Sequence, residues 1–161
     1  MTNPSSALQA AQLALTIGLV HAGFSLYWAL GGRWLLNTVG KGPEEMLRAS
    51  ALGAPAALAL IALFKALAAV IPWLNTQGKL PWPRLWRGIS WAGGVFLVLY
   101  GGVNTLAAWG VLLGVIHSDG YDRTAMQGHA FLWDPLFFQW GAALLYSLWL
   151  SRTEVAAKVQ Q

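Results

Sequence analysis

From Ala7 to Leu30 the chain contains no Asp, Glu, Lys or Arg. That run exceeds the about 20 apolar residues needed to cross the hydrocarbon of a bilayer. It ends in His21-Ala22-Gly23-Phe24-Ser25-Leu26-Tyr27-Trp28-Ala29-Leu30-Gly31-Gly32-Arg33-Trp34. The order is a buried polar group, an aromatic pair suited to the membrane interface, a double glycine that stops a helix, and then charge. No Lys or Arg precedes the run. The positive start of a signal peptide is therefore missing, and a retained first span is expected.

Composition extends this reading to the whole chain. Only 10% of the residues are charged, against roughly 25% in a soluble domain. Ten tryptophans point the same way, because Trp gathers at membrane interfaces. The net charge of +4 is dispersed over short loops and forms no basic run, so it reads as topology information and not as a nucleic-acid surface. With no cysteine, disulfides, thiolate metal sites and a Cys nucleophile are excluded.

The apolar runs at 7–30, 51–74, 88–116 and 131–150 predict an all-α fold, an integral membrane four-helix bundle in a single domain spanning 1–161. Ser5 or Ser6 is available to cap the first helix, and Pro72 is a place where the second could stop or kink. Polar loops cover 31–50 and 75–87, a turn-rich loop covers 117–130, and the tail from Ser151 to Gln161 reads as a short solvated helix end. Four spans put both termini on one side. Lys79, Arg84, Arg87, Arg152 and Lys158 fall on that side, against Arg33, Lys41, Arg48 and Arg123 on the other, so the positive-inside rule favours cytoplasmic termini. Trp28, Trp34 and Trp133 are expected at the outer interface, and Trp73, Trp82, Trp86, Trp91 and Trp149 at the inner one.

Small residues suggest where helices meet, since close backbone approach is the main source of packing in lipid. Ala14, Gly18, His21 and Ser25 share one face of the first span. In the third span Gly110 and Gly114 form a GxxxG, with Gly93, Gly94, Gly101 and Gly102 preceding it.

The HxxxxxYWxLGGxW pattern of His21–Trp34, together with Phe131-Leu132-Trp133-Asp134-Pro135-Leu136, resembles a family of small four-span bacterial inner-membrane proteins known as a domain of unknown function. Where that family usually carries an Arg-Gly-Asp-like signature in its third span, this chain reads Tyr100-Gly101-Gly102-Val103-Asn104-Thr105. The resemblance implies an architecture and a bacterial inner-membrane location, and no reaction.

Two constellations could carry function. His21, Lys65, Asn104 and Gln139 fall near mid-depth, where polar side chains are costly and face the bundle interior. With Tyr27, Trp28 and Tyr100 they form a candidate site for a lipid or small amphipathic ligand, or a proton relay with His21 as the titrating group. The plainer alternatives are that Lys65 snorkels to the inner interface and that Asn104 and Gln139 bond neighbouring helices. On the outer side lie Tyr27, Arg33, His117, Asp119, Asp122, His129 and Asp134. His117, Asp119 and His129 are weak metal candidates whose spacing matches no zinc signature, so no metal and no cofactor is expected. Asp134 could cap the fourth helix beside Pro135, or pair with Arg33 to tie the first loop to that helix.

Bis-histidine haem is disfavoured because the histidines lie at different depths. Phosphate loops, HExxH and serine-nucleophile motifs are absent. The expected function is therefore a non-enzymatic binding or accessory subunit of the membrane, partnered by the bilayer and by a homo-oligomer or another membrane protein, without nucleic acid. The alternative is a small membrane enzyme or transporter built on a midplane cluster around His21.

Overall fold

The computed structural model describes residues 4–40, 45 and 53–152. Lys41, Glu44 and Arg48 of the first loop, and Glu154 and Lys158 of the tail, lie outside the described residues. Among those residues all regular structure is helical. In chain order it comprises α1 (Pro4–Ala29), a 3₁₀ turn (Leu36–Val39), α2 (Gly53–Thr76), α3 (Pro83–Leu112), α4 (Arg123–Gly128), a π-helical segment (His129–Trp133) and α5 (Asp134–Leu150). Because α1 begins at Pro4, Ser5 and Ser6 lie inside its first turn and not at its cap. Pro72 neither ends nor interrupts α2, which runs on to Thr76. Asp122 takes the capping role expected of Asp134: its Oδ1 accepts the N–H groups of Thr124 (2.9 Å) and Ala125 (3.2 Å) at the start of α4.

Three helices stop by one device. At the end of α1 the Gly32 N–H bonds the Tyr27 carbonyl at 2.9 Å and the Gly31 N–H bonds that of Trp28 at 3.0 Å, with Gly31 at φ 92°. This nested pair closes the last turn and requires a left-handed residue, for which glycine has no steric penalty. The same pair of bonds recurs around Gly78 after α2 and around Gly114 after α3. Gly114 is thus a helix stop beyond Leu112, and no atom lies within 4 Å of a Cβ placed on it. The GxxxG of Gly110 and Gly114 is not a helix seam, and α3 occupies 83–112 in place of the expected 88–116.

The working seams lie elsewhere. Gly18 of α1 faces α2 and α5, where an added Cβ would come within 2.6 Å of the Ala69 Cβ and 2.7 Å of the Trp140 ring. Gly94 and Gly101 of α3 face Leu145, Gly141, Phe138 and Asp134 of α5. These pairings give the order α2–α1–α5–α3, each helix antiparallel to the next. Gly18 and His21 of α1 meet Ala69 and Lys65 of α2 in reverse order, and Gly94 and Gly101 of α3 meet Leu145 and Phe138 of α5 in reverse order. The α2–α3 side is only lightly packed. Ser147 of α5 donates to the Ala7 carbonyl of α1 at 3.0 Å, so the first turn of α1 and the last turn of α5 share one end of the molecule. There Arg87 of α3 donates to the Leu148 carbonyl and, at 2.9 Å, to the Ser151 hydroxyl, satisfying acceptors at the end of α5.

The core has two parts. Ala14, Ile17, Ala69, Trp140, Leu144 and Leu148 fill the contact of α1, α2 and α5. Trp28, Leu36 and Trp133 fill the opposite end, with the Trp28 and Trp133 rings edge-on at 5.2 Å. Both tryptophans are buried, so they are core residues and not members of an interfacial belt; Trp34 is exposed. Large apolar side chains cover the outside: Leu60 and Phe64 on α2, and Phe96, Leu99, Val103 and Leu106 on α3, are each more than 60% exposed. Unbroken apolar exposure on this scale needs a non-aqueous surround. α1 from Ser6, α2 and α3 are long and apolar enough to cross a membrane. α5 has 17 residues, about 26 Å at the helical rise, and the helical run continues without a break back through the π-helical segment into α4.

Candidate functional site

Lys65 sits at the middle of α2, on the edge of the face that buries Ala62 and Ala69. Its head does not run along α2 toward either end of the bundle. The Nζ turns into the bundle toward α1, 3.0 Å from the Ser25 Oγ and 3.1 Å from the His21 Nδ1. It also stands 5.4 Å from the centroid of the Phe137 ring of α5. An ammonium at this depth costs about 2.5–3.5 kcal/mol on insertion scales, and the neutral oxygen, the imidazole nitrogen and the ring face each offset part of that cost.

The geometry also sets the histidine. A protonated Lys65 only donates, so the His21 Nδ1 accepts and the ring proton resides on Nε2. The Nε2 is buried and, among the described residues, has no hydrogen-bond partner. The His21 ring is packed against Phe137 at 4.0 Å and Trp133 at 5.8 Å, and the Trp133 carbonyl approaches it. Phe137 joins the third wall through an edge-on contact with Tyr100 of α3 at 5.4 Å. Lys65, His21, Phe137 and Tyr100 therefore form one layer that draws a residue from each of the four long helices, with α2 and α3 only lightly packed beside it.

Of the residues the sequence marks out, the structure brings His21, Lys65 and Tyr100 together. Asn104 lies one turn along α3 and donates to the Tyr100 carbonyl at 2.8 Å within its own helix. Gln139 is exposed. Tyr27 and Trp28 are occupied with the turn after α1: the Tyr27 hydroxyl accepts the Trp34 N–H at 3.4 Å, and the Trp28 Nε1 donates to the Trp34 carbonyl at 2.9 Å. A Cβ on Gly32 would strike the Tyr27 ring, which accounts for the second glycine of that turn. Beside it a recess of about 390 Å³ is lined by Val20, Gly23, Phe24, Tyr27 and Trp34, and it is almost wholly apolar. Ser25 and Phe137 belong to the central layer but were not marked as site residues. Ser25 had a usable signal, one turn from His21 on the same small-residue face; Phe137 had none.

At the end of the bundle opposite the first turn of α1, Asp134 pairs with His129 instead of Arg33. Its Oδ2 lies 3.0 Å from the His129 Nδ1, while Arg33 is exposed. The hydrogen bond to this carboxylate raises the His129 pKa above 6.5, against the opposing effect of partial burial. The adjacent Trp133 Nε1 donates to the Thr38 Oγ1 at 2.9 Å, tying the 3₁₀ turn to the π-helical segment. His117 and Asp119 are exposed, and among the described residues no three His, Cys, Asp or Glu side chains converge as a metal site would require.

An all-helical chain with apolar side chains facing outward and a polar layer in its middle is a multi-pass α-helical membrane protein. It belongs to the family described as Protein of unknown function (DUF3995), which matches residues 18–144. That stretch runs from the Gly18 seam through the His21–Lys65 layer to Leu144 of the α5 core. No curated protein and no solved structure matches the chain.

Proposed function

We propose that this protein is a non-enzymatic binding protein, or accessory subunit, of the bacterial inner membrane, that its termini are cytoplasmic, and that its site is the layer of Lys65, His21, Ser25 and Tyr100. One observation carries the reading: among the described residues Lys65 is a half-buried cation in a membrane helix with neutral partners and no carboxylate within ion-pair distance. Intramembrane ionisable groups that serve packing alone are usually paired. A lysine held by a hydroxyl and an imidazole, at the least packed side of the bundle, has donor capacity left for a ligand arriving from the bilayer. The cytoplasmic assignment rests on the excess of Lys and Arg on the side of the termini.

The experiment is native mass spectrometry of the full chain released from nanodiscs. The expected result is a lipid-like or amphipathic adduct that is lost in Lys65→Met at unchanged membrane abundance. A bare polypeptide, or an adduct equally retained by Lys65→Met, refutes the site. A small enzyme or transporter built on His21 is the second reading, and the unpartnered His21 Nε2 favours it. Loss of a cellular phenotype in His21→Ala, with the adduct retained, would select it.

A further inference from the structure

We propose that the α2–α3 side of the bundle receives the carboxylate head group of a single-chain amphiphile, with Lys65 as its counter-charge. This rests on the ligand-binding reading above and adds the charge and class of the ligand.

The charge argument is an inventory of the helices. Across α1, α2, α3 and α5 the one acidic side chain is Asp134, and it is committed to His129. Among the described residues Lys65 thus has no carboxylate within ion-pair distance, although the Asp134 charge is felt at Tyr100 on the far wall. A neutral ligand leaves the cost of that buried charge in place. A cationic one adds repulsion to it. An anion removes it, because opposite charges attract far more strongly in a low-dielectric layer than in water. Magnitude then separates the anions. Lys65 is the one cation of the layer and the Asp134 charge already acts at Tyr100, so a carboxylate of unit charge beside Lys65 balances it with the least added negative charge. A phosphate monoester carries about −1.5 to −2 at neutral pH and would leave excess negative charge in hydrocarbon.

The shape argument concerns access. Lys65 on one wall and Tyr100 on the other are each partly exposed, and Phe137 joins them across the floor, in contact with both. Along α3 the wall continues from Tyr100 to Phe96, whose rings stack at 5.7 Å, and Phe96 is 63% exposed. A head group at Lys65 thus places its tail on aromatic surface that already faces the membrane. α2 and α3 touch only lightly along this side, and a single chain has less helix contact to part than the paired chains of a phospholipid.

The test uses the full chain in phosphatidylcholine nanodiscs, titrated with hexadecanoate, hexadecanol, hexadecylamine and hexadecyl phosphate, each competing against a fluorescent fatty acid. Hexadecanoate is expected to bind at least about tenfold tighter than hexadecanol, with hexadecylamine weakest and hexadecyl phosphate below hexadecanoate. Lys65→Met should remove the preference for the acid over the alcohol, and Lys65→Arg should keep it. Equal binding of acid and alcohol by the wild-type chain, or a preference that survives in Lys65→Met, overturns the anionic assignment while leaving a ligand site standing. Tighter hexadecyl phosphate overturns the carboxylate. Failure of every amphiphile, the fluorescent probe included, overturns the ligand-site reading together with this one. Should Lys65→Met fail to accumulate, the wild-type series alone decides the charge preference.

Discussion

Gly141→Ala should separate α5 from α3 and destabilise the protein. A Cβ at Gly141 would lie 2.8 Å from each of three atoms of α3: the Gly94 carbonyl oxygen, the Leu97 Cβ and the Val98 nitrogen. Each is backbone or bonded directly to it, so none can swing aside by a change of rotamer. Comfortable contact begins near 3.5 Å, so the two helices must part by about 0.7 Å along this seam. Overpacking of this kind costs about 1–3 kcal/mol, and rigid partners place it in the upper half, about 2–3 kcal/mol. Helix propensity works the other way, because Ala gains about 1 kcal/mol over Gly in a helix interior. The control that cancels this gain is Gly93→Ala on α3, where nothing lies within 4 Å of an added Cβ. Unfolding in mixed micelles, followed by helical circular dichroism, should therefore place Gly141→Ala about 2–3 kcal/mol below Gly93→Ala. If the two variants unfold within about 0.5 kcal/mol of each other, the limit within which independent effects usually add, the α3–α5 seam is not as tight as described.

Two further outcomes follow from the end that holds His129 and Asp134. The His129 pKa is raised by Asp134, so the pair stabilises the folded state fully below 6.5 and ceases to do so as pH rises through the elevated folded value. Thermal unfolding at pH 5.5 and 8.5 should show a higher midpoint at the lower pH, and Asp134→Asn should flatten that difference; an unchanged pH slope in Asp134→Asn would remove the pair as its source. Thr38→Val deletes the acceptor of the buried Trp133 indole N–H and should cost about 1–3 kcal/mol, read as a lowered unfolding midpoint. Thr38→Ser, which keeps the hydroxyl, should retain most of the stability, and a Thr38→Val midpoint equal to that of the unaltered chain would show that this hydrogen bond contributes nothing.

The apolar runs made the number and order of the long helices legible, because the constraint is severe: backbone groups in hydrocarbon must bond within their own segment. Helix ends were legible where glycine does one job. Gly31 ends α1 as its position in the motif implies. Gly114 was misread because spacing alone cannot distinguish a small residue that lets two helices approach from one that supplies a left-handed turn. That distinction is set by φ, which is 73° at Gly114, and by what lies opposite, which is nothing. The same limit applied to the aromatics. Trp28 and Trp133 sit near span ends, as belt residues do, but their rings turn inward to meet one another, and rotation about a helix axis is not encoded by depth.

The central layer shows which part of a membrane site a single sequence can expose. His21 and Lys65 were conspicuous because polar groups are expensive in hydrocarbon, and that expense is a property of each residue alone. Their meeting was only partly implied. His21 and Ser25 share a face of α1 at helical spacing, but bringing Lys65 onto that face depends on how α2 slides along α1. Gly18 and Ala69 set that slide, since their backbones can approach only where both side chains are small. With Gly18 against Ala69 in antiparallel helices, the residue one turn before Ala69 falls beside the residue about one turn after Gly18, which pairs Lys65 with His21. Asn104 and Gln139 had comparable polarity and depth, and the Gly94–Gly101–Gly141 seam beside them brings neither to the Lys65 layer. Asn104 is satisfied by its own helix and Gln139 faces outward. The Gly18–Ala69 seam thus sets the register that pairs Lys65 with His21, and Gly18→Leu should break up the Lys65 layer without touching any of its polar groups.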